Sequence, residues 1–385
     1  MGGTPFTKAQ VNTDLLYRDV GRKPERPFVI LAQTLETTLG DLISKVVFYA
    51  TVKNQFEHAN LHVHFRDVRP YSRKVMALAP NLDKIEILRG ELPGWLRSRL
   101  KHDRFWRPLM VDFRKGSKRK FYDFVINDWM ADVRSVHALP NIVPLRVPPE
   151  LEPTLERRLI EQGLDRNRWF VAIHCREENY QWRKNISGLR NSDPEAFAFL
   201  VDYIIDGLGG QVVRLGHPEM QEFPERPGYV DLSRMRNSFM LQAFAVSRAR
   251  FVIAGPSGAM TLGCGFQVPI CMVDATDGQS GWGDMERIVL TQELLTPDRG
   301  ALRNRELMDA GLLSRRPLAN LINGREGYAL RKCTGRELAC VADHLHACTG
   351  DMAGWRAPRQ MPDAPRPNGL MWPPRTREDI TFLDV

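Results

Sequence analysis

Three stretches decide the fold: RWFVAIHCREENY at residues 168–180, GQVVRLGHPEM at 210–220 and ARFVIAGPSGAMT at 249–261. Each contains an apolar, β-branched run of strand length, at 169–173, 211–215 and 251–254. Near-continuous apolarity, rather than alternation, predicts strands buried on both faces, as in a parallel sheet. Each run ends in a polar or glycine-bearing segment: HCREE, GHPEM and GPSG. In open α/β sheets, functional groups collect beyond the carboxyl ends of the strands. Here those ends carry His174 and Arg176, then Arg214, Gly216 and His217, then Gly255, Ser257 and Gly258. Positive charge and hydrogen-bond donors in one place suit a phosphorylated ligand.

The segments around these strands extend the pattern. DPEAFAFLVDYIIDGLGG predicts a helix with Asp193 as N-cap, Pro194 at its first position and a glycine pair at its end. NSFMLQAFAVSRA predicts a second helix, SGAMTLGCGF a third and TGRELACVADHLHACTG a fourth. Upstream, RPFVILAQ reads as a strand, a helix follows with Leu42, Val46, Val47 and Ala50 at helical spacing, and LHVHFRD and LDKIEILRG read as further strands. That order begins a separate parallel sheet. The proline-rich NIVPLRVPPELEP lies between the two series.

At 385 residues the chain is too long for one ordinary core. We therefore expect an N-terminal tail at 1–25, a first α/β domain at 26–150, a second at 151–350 and a C-terminal tail at 351–385, with Trp355 and Trp372 as docking points.

A content of 43% hydrophobic and 26% charged residues predicts a soluble globular protein. No run approaches the ~18 apolar residues of a membrane span. The N-terminus lacks the apolar core of a signal peptide, and Phe6 stands where a myristoylation signal needs Ser or Thr. A cytoplasmic address is the expectation. The net charge of +8 favours an anionic partner. Residues 95–120 interleave arginines and lysines with Trp95, Phe105 and Trp106, which suits peripheral contact with an anionic membrane at its inner face; a solvated helix face is the plainer reading. No nucleic-acid signature accompanies the charge, so no nucleic-acid partner is expected.

The six cysteines form no C-x-x-C pair, which suggests reduced and mostly buried thiols. Cys340, His344 and Cys348 fall at i, i+4 and i+8 of one helix, with Cys333 one heptad earlier. A metal needs ligands converging on a point, and residues spread along one helix do not converge without outside help. An apolar helix face is the simpler reading, and no metal is expected.

The chemistry of the cluster follows from charge. A strand-to-helix junction at PSGAMT would aim free backbone N–H groups and about half a positive charge at an anion. After Pro256, the small residues beginning at Ser257 and Gly258 let the backbone approach closely, and Ser257 and Thr261 add hydroxyls. The stretch is not a P-loop, since no G-K-[ST] follows, and the first strand of this domain carries no G-x-G-x-x-G. Arg176 can meet a diphosphate with a planar fork of donors. Its plainer alternative is a salt bridge to Glu177 or Glu178. His174 could instead brace its strand end, and Arg214 could be structural.

The order of these residues resembles a bacterial family assigned as glycosyltransferases. The matching positions are His174-x-Arg176, Tyr180, Arg190-Asn191, Gly209-Gly210, Val212 to Gly216, Pro218, Met220, Asp231 and Ser257-Gly258. The likeness is close over ~100 residues and loose over ~200, and its H-x-R element is distantly similar to that of fucosyltransferases. Cys175 and Glu177 depart from the valine and aspartate commoner there. The resemblance implies the GT-B architecture, in which two Rossmann-like domains face across a cleft. The second domain would hold a nucleotide-sugar, the first would present a glycan or other cell-surface precursor, and the C-terminal tail would return to the first domain. His174, Tyr180, Arg190, Asn191, Arg214, Gly216, His217, Pro218, Asp231, Pro256, Ser257, Gly258 and Thr261 would then bind the donor. Arg176 would act in catalysis, with neither metal nor cofactor needed. An inverting transfer also needs a base near the acceptor hydroxyl. Asp41 is the candidate, with helix N-capping as its plainer role and Glu177 and Glu178 as rivals. A GT-B-like epimerase or other sugar-modifying enzyme on the same donor site is the alternative enzyme. A basic polyanion-binding protein is the alternative outside enzymes.

Overall fold

The structure is a computed structural model. It describes residues 28–34, 38–55, 59–87, 110–112, 123–126, 142–177, 188–276, 282–359 with short interruptions, 375–377 and 380. Tyr180, Glu178, Trp372 and most of the basic region 95–120 lie outside the described residues. The chain divides into two compact units, Met1–Pro148 with Gln360–Met371, and Pro149–Arg359 with Trp372–Val385. Both are α/β on mainly parallel sheets. No helix among the described residues is long and apolar enough to cross a membrane.

In the first unit, β1 (Phe28–Thr34) lies beside β2 (Ala59–Phe65), and β2 beside β3 (Lys84–Ile87), all parallel. On its other side β1 pairs in parallel with β5 (Phe124–Ile126), which pairs antiparallel with the edge strand β4 (Met110–Asp112). The helix α1 (Leu39–Gln55) joins β1 to β2. Its apolar spacing predicts one buried stripe, yet residues 42–52 are all buried. Ser44 and Thr51 survive that burial by donating their hydroxyls to the carbonyls of Gly40 and Val47, one turn back. The short helix α2 (Ser72–Met76) follows β2.

The second unit opens with α3 (Glu152–Glu161), which stops ahead of Gly163 in the left-handed region (φ +99°). Then come β6 (Phe170–His174), α4 (Pro194–Asp202), β7 (Gln211–Arg214), β8 (Tyr229–Asp231), α5 (Phe239–Arg248), β9 (Val252–Ala254), α6 (Gly258–Gly265), β10 (Ile270–Ala275) and β11 (Arg287–Thr291). The six strands lie in the order β8-β7-β6-β9-β10-β11, and every adjacent pair is parallel. Numbered within the sheet, that is 3-2-1-4-5-6, the doubly wound nucleotide-binding order.

The buried runs fit this placement. β6, β7, β9 and β10 are buried at every residue. Val171, Ile173, Val212 and Ile253 face a core built with Phe197 and Leu200 of α4 and with Leu338, Val341 and Leu345 of α8 (Gly335–Cys348). Each such side chain stabilises the fold by ~1.5–3 kcal/mol. Phe170, the neighbour of Val171, packs edge-on against Trp355 with centroids 5.5 Å apart, and Trp355 also meets Phe244 of α5. Helices thus cover the sheet on both sides, which is why these strands show no polar alternation.

The N-cap expected at Asp193 is present, and a second cap not read from the sequence joins it. Asp193 accepts the amide of Glu195 at 3.1 Å, with Pro194 opening α4. Thr334 and Glu337 form a reciprocal capping box on α8. A second, antiparallel sheet of this unit, β12 (Glu293–Leu295) between β13 (Ala301–Leu302) and β14 (Ala329–Arg331), packs with α7 (Arg315–Gly324) around Leu294 and Leu318. Beyond α8, Trp355 donates its indole N–H to Asp165 O at 2.9 Å. Arg375 bridges in parallel to Ile288 of β11.

Candidate functional site

In a 3-2-1-4-5-6 sheet the order reverses between the first and fourth strands, and the connections leave on opposite faces. A crevice opens there, outside the carboxyl ends. In this chain those strands are β6 and β9, whose ends carry His174 and Arg176 on one side and Gly255 to Gly258 on the other.

Three segments meet at Gly255. Its amide donates to His174 O at 3.1 Å. A Cβ added to it would stand 3.0 Å from Ser192 Oγ, 3.4 Å from Arg176 Cβ and 3.7 Å from Arg190 O. A side chain here would crowd the Ser192 hydroxyl, so glycine suits the close meeting of the strand end, the turn Gly188–Arg190 and the β9–α6 junction. Ser192 donates its amide to Arg176 O at 2.8 Å, and Asn191 beside it is buried. The structure therefore brings together His174, Arg176, Arg190, Asn191, Pro256, Ser257, Gly258 and Thr261.

Arg176 is 4% exposed, and its Nη1 donates to Pro256 O at 3.4 Å, on the junction that opens α6. Of the two salt-bridge partners considered for it, Glu177 pairs with Arg214, and Glu178 lies outside the described residues. At the start of α6, Ser257 is in extended conformation and does not cap the helix with its side chain. Its Oγ is buried and finds no hydrogen-bond partner among the described residues. Thr261 donates its hydroxyl back to Ser257 O at 3.3 Å, so it braces the junction. The first turn of α6 holds no acidic residue, and the first amides of a helix lack intrahelical partners. An anion would find donors and the positive end of the helix dipole there.

His174 is buried, and one ring nitrogen faces a carbonyl: Nδ1 lies 3.1 Å from Leu215 O. A carbonyl only accepts, so Nδ1 carries the proton and Nε2 keeps a lone pair. Burial lowers the His174 pKa to about 4, and the nearby charges of Arg176, His217 and Arg214 act in the same direction. The ring is therefore neutral near pH 7. The sign for stability follows from linkage. An unfolded histidine, near 6.5, takes up a proton that the folded one refuses until about 4, so stability contributed by this site is lost as pH falls between those values. His174→Gln is expected to flatten the fall in unfolding free energy between pH 6.5 and 4, read from urea melts of both proteins.

The strand end after β7 has a different character. Arg214 is fully buried. Nη2 donates to Glu177 Oε1 at 2.7 Å, and Nη1 to Gln221 O at 2.5 Å and to Asp231 Oδ2 at 3.4 Å. The guanidinium also stacks on Phe223, 3.8 Å from the ring centre. Glu177 Oε2 accepts the amide of Gln221 at 2.7 Å. Asp231 Oδ1 accepts from the Ser233 amide and hydroxyl at 2.9 and 2.5 Å. Arg214 is thus the hub that holds the end of β6 to the ends of β7 and β8: both terminal nitrogens donate to these partners, while Nε is buried with none among the described residues. Glu177 is committed to the same hub, which disfavours it as a base.

Gly216 (φ +152°) exchanges two hydrogen bonds with the Gln242 side chain, and a Cβ there would meet Met220 Sδ at 2.1 Å. His217 is half-buried, and Nδ1 accepts the Glu219 amide at 3.3 Å. Burial lowers its pKa also. Pro218 is exposed, its carbonyl accepting from Arg234.

Asp41 belongs to the first unit. The helix begins at Leu39, so Asp41 stands in the first turn of α1 and not in the loop ahead of it. Its carboxylate is exposed and accepts the Thr38 hydroxyl at 2.5 Å, and as the third residue of the helix it is not the N-cap residue.

Some residues that shape the site went unnoticed in the sequence. Gln292 donates to Leu189 O at 2.6 Å and to Asp274 O at 3.2 Å, pinning the Gly188–Arg190 turn. Asp274, at the end of β10, has φ +54° and accepts the Cys333 amide at 2.8 Å. Burial, the largest influence, raises its pKa. A lone Gln or Asp after an apolar run carries no spacing signal.

No protein-family model matches the chain, and no curated protein matches it. Among solved structures, it is similar to a family 9 glycosyl transferase from Veillonella parvula at 15% identity, covering 64% of this chain and 80% of that one with a TM-score of 0.43. It is similar to the ADP-heptose LPS heptosyltransferase II of E. coli at 12% identity, covering 64% and 84% with a TM-score of 0.42. The dodecameric iron-containing glycosyltransferase TibC of enterotoxigenic E. coli is 12% identical, with 85% and 78% covered and a TM-score of 0.44.

Proposed function

We propose that the second unit binds the diphosphate of a nucleotide-sugar and that the chain is a glycosyltransferase, passing the sugar to a glycan or other cell-surface precursor. The observation that carries this reading is the buried Arg176 at the reversal point of a 3-2-1-4-5-6 parallel sheet, beside the uncapped start of α6. Two α/β units on parallel sheets agree with the GT-B architecture that the motif order implies.

As the sugar departs, negative charge grows on the diphosphate. Arg176 and the α6 amides are donors held in place before that charge appears, and one such donor is worth ~3–4 kcal/mol in enzymes where it has been removed. These groups take the part a divalent ion would otherwise play, so transfer needs no added metal. Asp41 is the proposed base; its exposure is what a base needs to reach an acceptor hydroxyl. Neutral His174 presents a lone pair, which suits a ligand hydroxyl or amine better than a phosphate oxygen.

Calorimetric titration with nucleoside diphosphates and a panel of their sugar conjugates tests the reading. At least one nucleoside diphosphate should bind without magnesium or manganese, and addition of either ion should leave the affinity unchanged. Absence of binding by every nucleotide, together with salt-sensitive binding of polyanions, would favour the basic binding protein instead.

A further inference from the structure

The cysteine and histidine pattern near the chain's end gains a third member in space. His344 and Cys348 lie one turn apart on one face of α8, and Glu286 stands directly before β11. His344 Nε2 lies 3.5 Å from Glu286 Oε1, and Cys348 Sγ lies 3.3 Å from His344 Nε2. All three ligand atoms fall within 4.8 Å of one another. Cys340, one turn earlier on the helix, is not part of the group.

The two separations from His344 are those of ligands sharing an ion. Zinc–sulfur, zinc–nitrogen and zinc–oxygen bonds of ~2.3, ~2.05 and ~2.1 Å at tetrahedral angles place sulfur ~3.6 Å from nitrogen, and nitrogen ~3.4 Å from oxygen. One thiolate, one imidazole and one carboxylate leave the fourth position to water. Cys348 is exposed and the other two are partly so, which gives an ion access. Arg375 Nε donates at 2.7 Å to the same Glu286 Oε1 that faces His344, but the carboxylate has about four acceptor directions in all, so it can hold an ion beside the guanidinium.

We propose that Glu286, His344 and Cys348 form a zinc site of structural purpose. The location supports that purpose. Glu286 precedes its strand, so the group lies at the amino-terminal edge of the parallel sheet, the edge opposite to the strand ends that carry His174 and Ser257. An ion there fastens the last turns of α8 to β11 and, through Glu286, to the bridging Arg375 segment. The site is independent of the glycosyltransferase reading and would stand without it.

Cobalt titration of chelator-treated protein, under a non-thiol reductant, tests the site. Expected is about one equivalent of cobalt, with near-ultraviolet thiolate-to-cobalt absorbance that zinc displaces. Cys348→Ser should abolish that absorbance, and His344→Gln should weaken zinc binding at least tenfold by equilibrium dialysis, while Cys340→Ser changes neither. Zinc should raise the melting temperature of the wild type and of Cys340→Ser but not of the other two variants. All three positions are at least partly exposed, so the variants should fold, and circular dichroism checks this. No thiolate absorbance with the wild type, or zinc affinity unchanged in the Cys348→Ser, His344→Gln double variant, would overturn the proposal.

Discussion

Arg176→Ala is expected to lower kcat by about a hundredfold or more, the cost of removing one donor held ready for the transition state. The diphosphate is more negative as the sugar leaves than in the bound donor, so kcat should fall more than donor affinity. Arg176→Lys should recover only part of the loss, because an ammonium lacks the planar fork. The side chain is 4% exposed and holds Pro256 O, so truncation will also loosen the β9–α6 junction. The lysine variant keeps the charge and most of the volume, and it separates the two effects. A folded Arg176→Lys enzyme with wild-type kcat would remove Arg176 from the chemistry.

Arg214→Ala should act on stability. It would leave Glu177 and Asp231 facing each other without the cation between them and empty the space over Phe223. Removing one partner from a buried charge network costs about 3–5 kcal/mol. A large drop in melting temperature is therefore expected. Arg214→Met, which refills the volume, combined with Glu177→Gln and Asp231→Asn, which remove the stranded charges, should recover part of it. The opposite pattern, an unchanged melt with loss of nucleotide binding in Arg214→Ala, would return Arg214 to the ligand-binding residues.

The contrast between these two arginines shows what the sequence makes legible. Both follow apolar strand runs, and nothing local distinguishes them. Arg214 ends its own strand β7, and its neighbours across the sheet end, Glu177 and Asp231, come from segments 37 residues before and 17 residues after it. Such pairing exists only once the strand order is known. The buried strands were legible because burial on both faces leaves an unbroken apolar run, and α4 because Asp193-Pro194 is a start signal with a direct mechanism. The short β8, the three-stranded antiparallel sheet and the pinning role of Gln292 left no comparable mark, since two or three residues carry no period. Strand order itself was not legible either, although the GPSG and HCREE segments already marked the two strand ends that the order brings side by side. The Glu286–His344–Cys348 group shows the same limit. Two of its members share a helix face, and the third, just ahead of β11, lies 58 residues before His344.

A crystal structure with a bound nucleotide-sugar, or with the nucleoside diphosphate that binds it best, tests the central claim most directly. The account predicts the diphosphate beyond the ends of β6 and β9, with Arg176 within hydrogen-bond reach of its oxygens and the first amides of α6 directed at it. A diphosphate bound at the amino-terminal edge of that sheet, or on the first unit with Arg176 uninvolved, would contradict it.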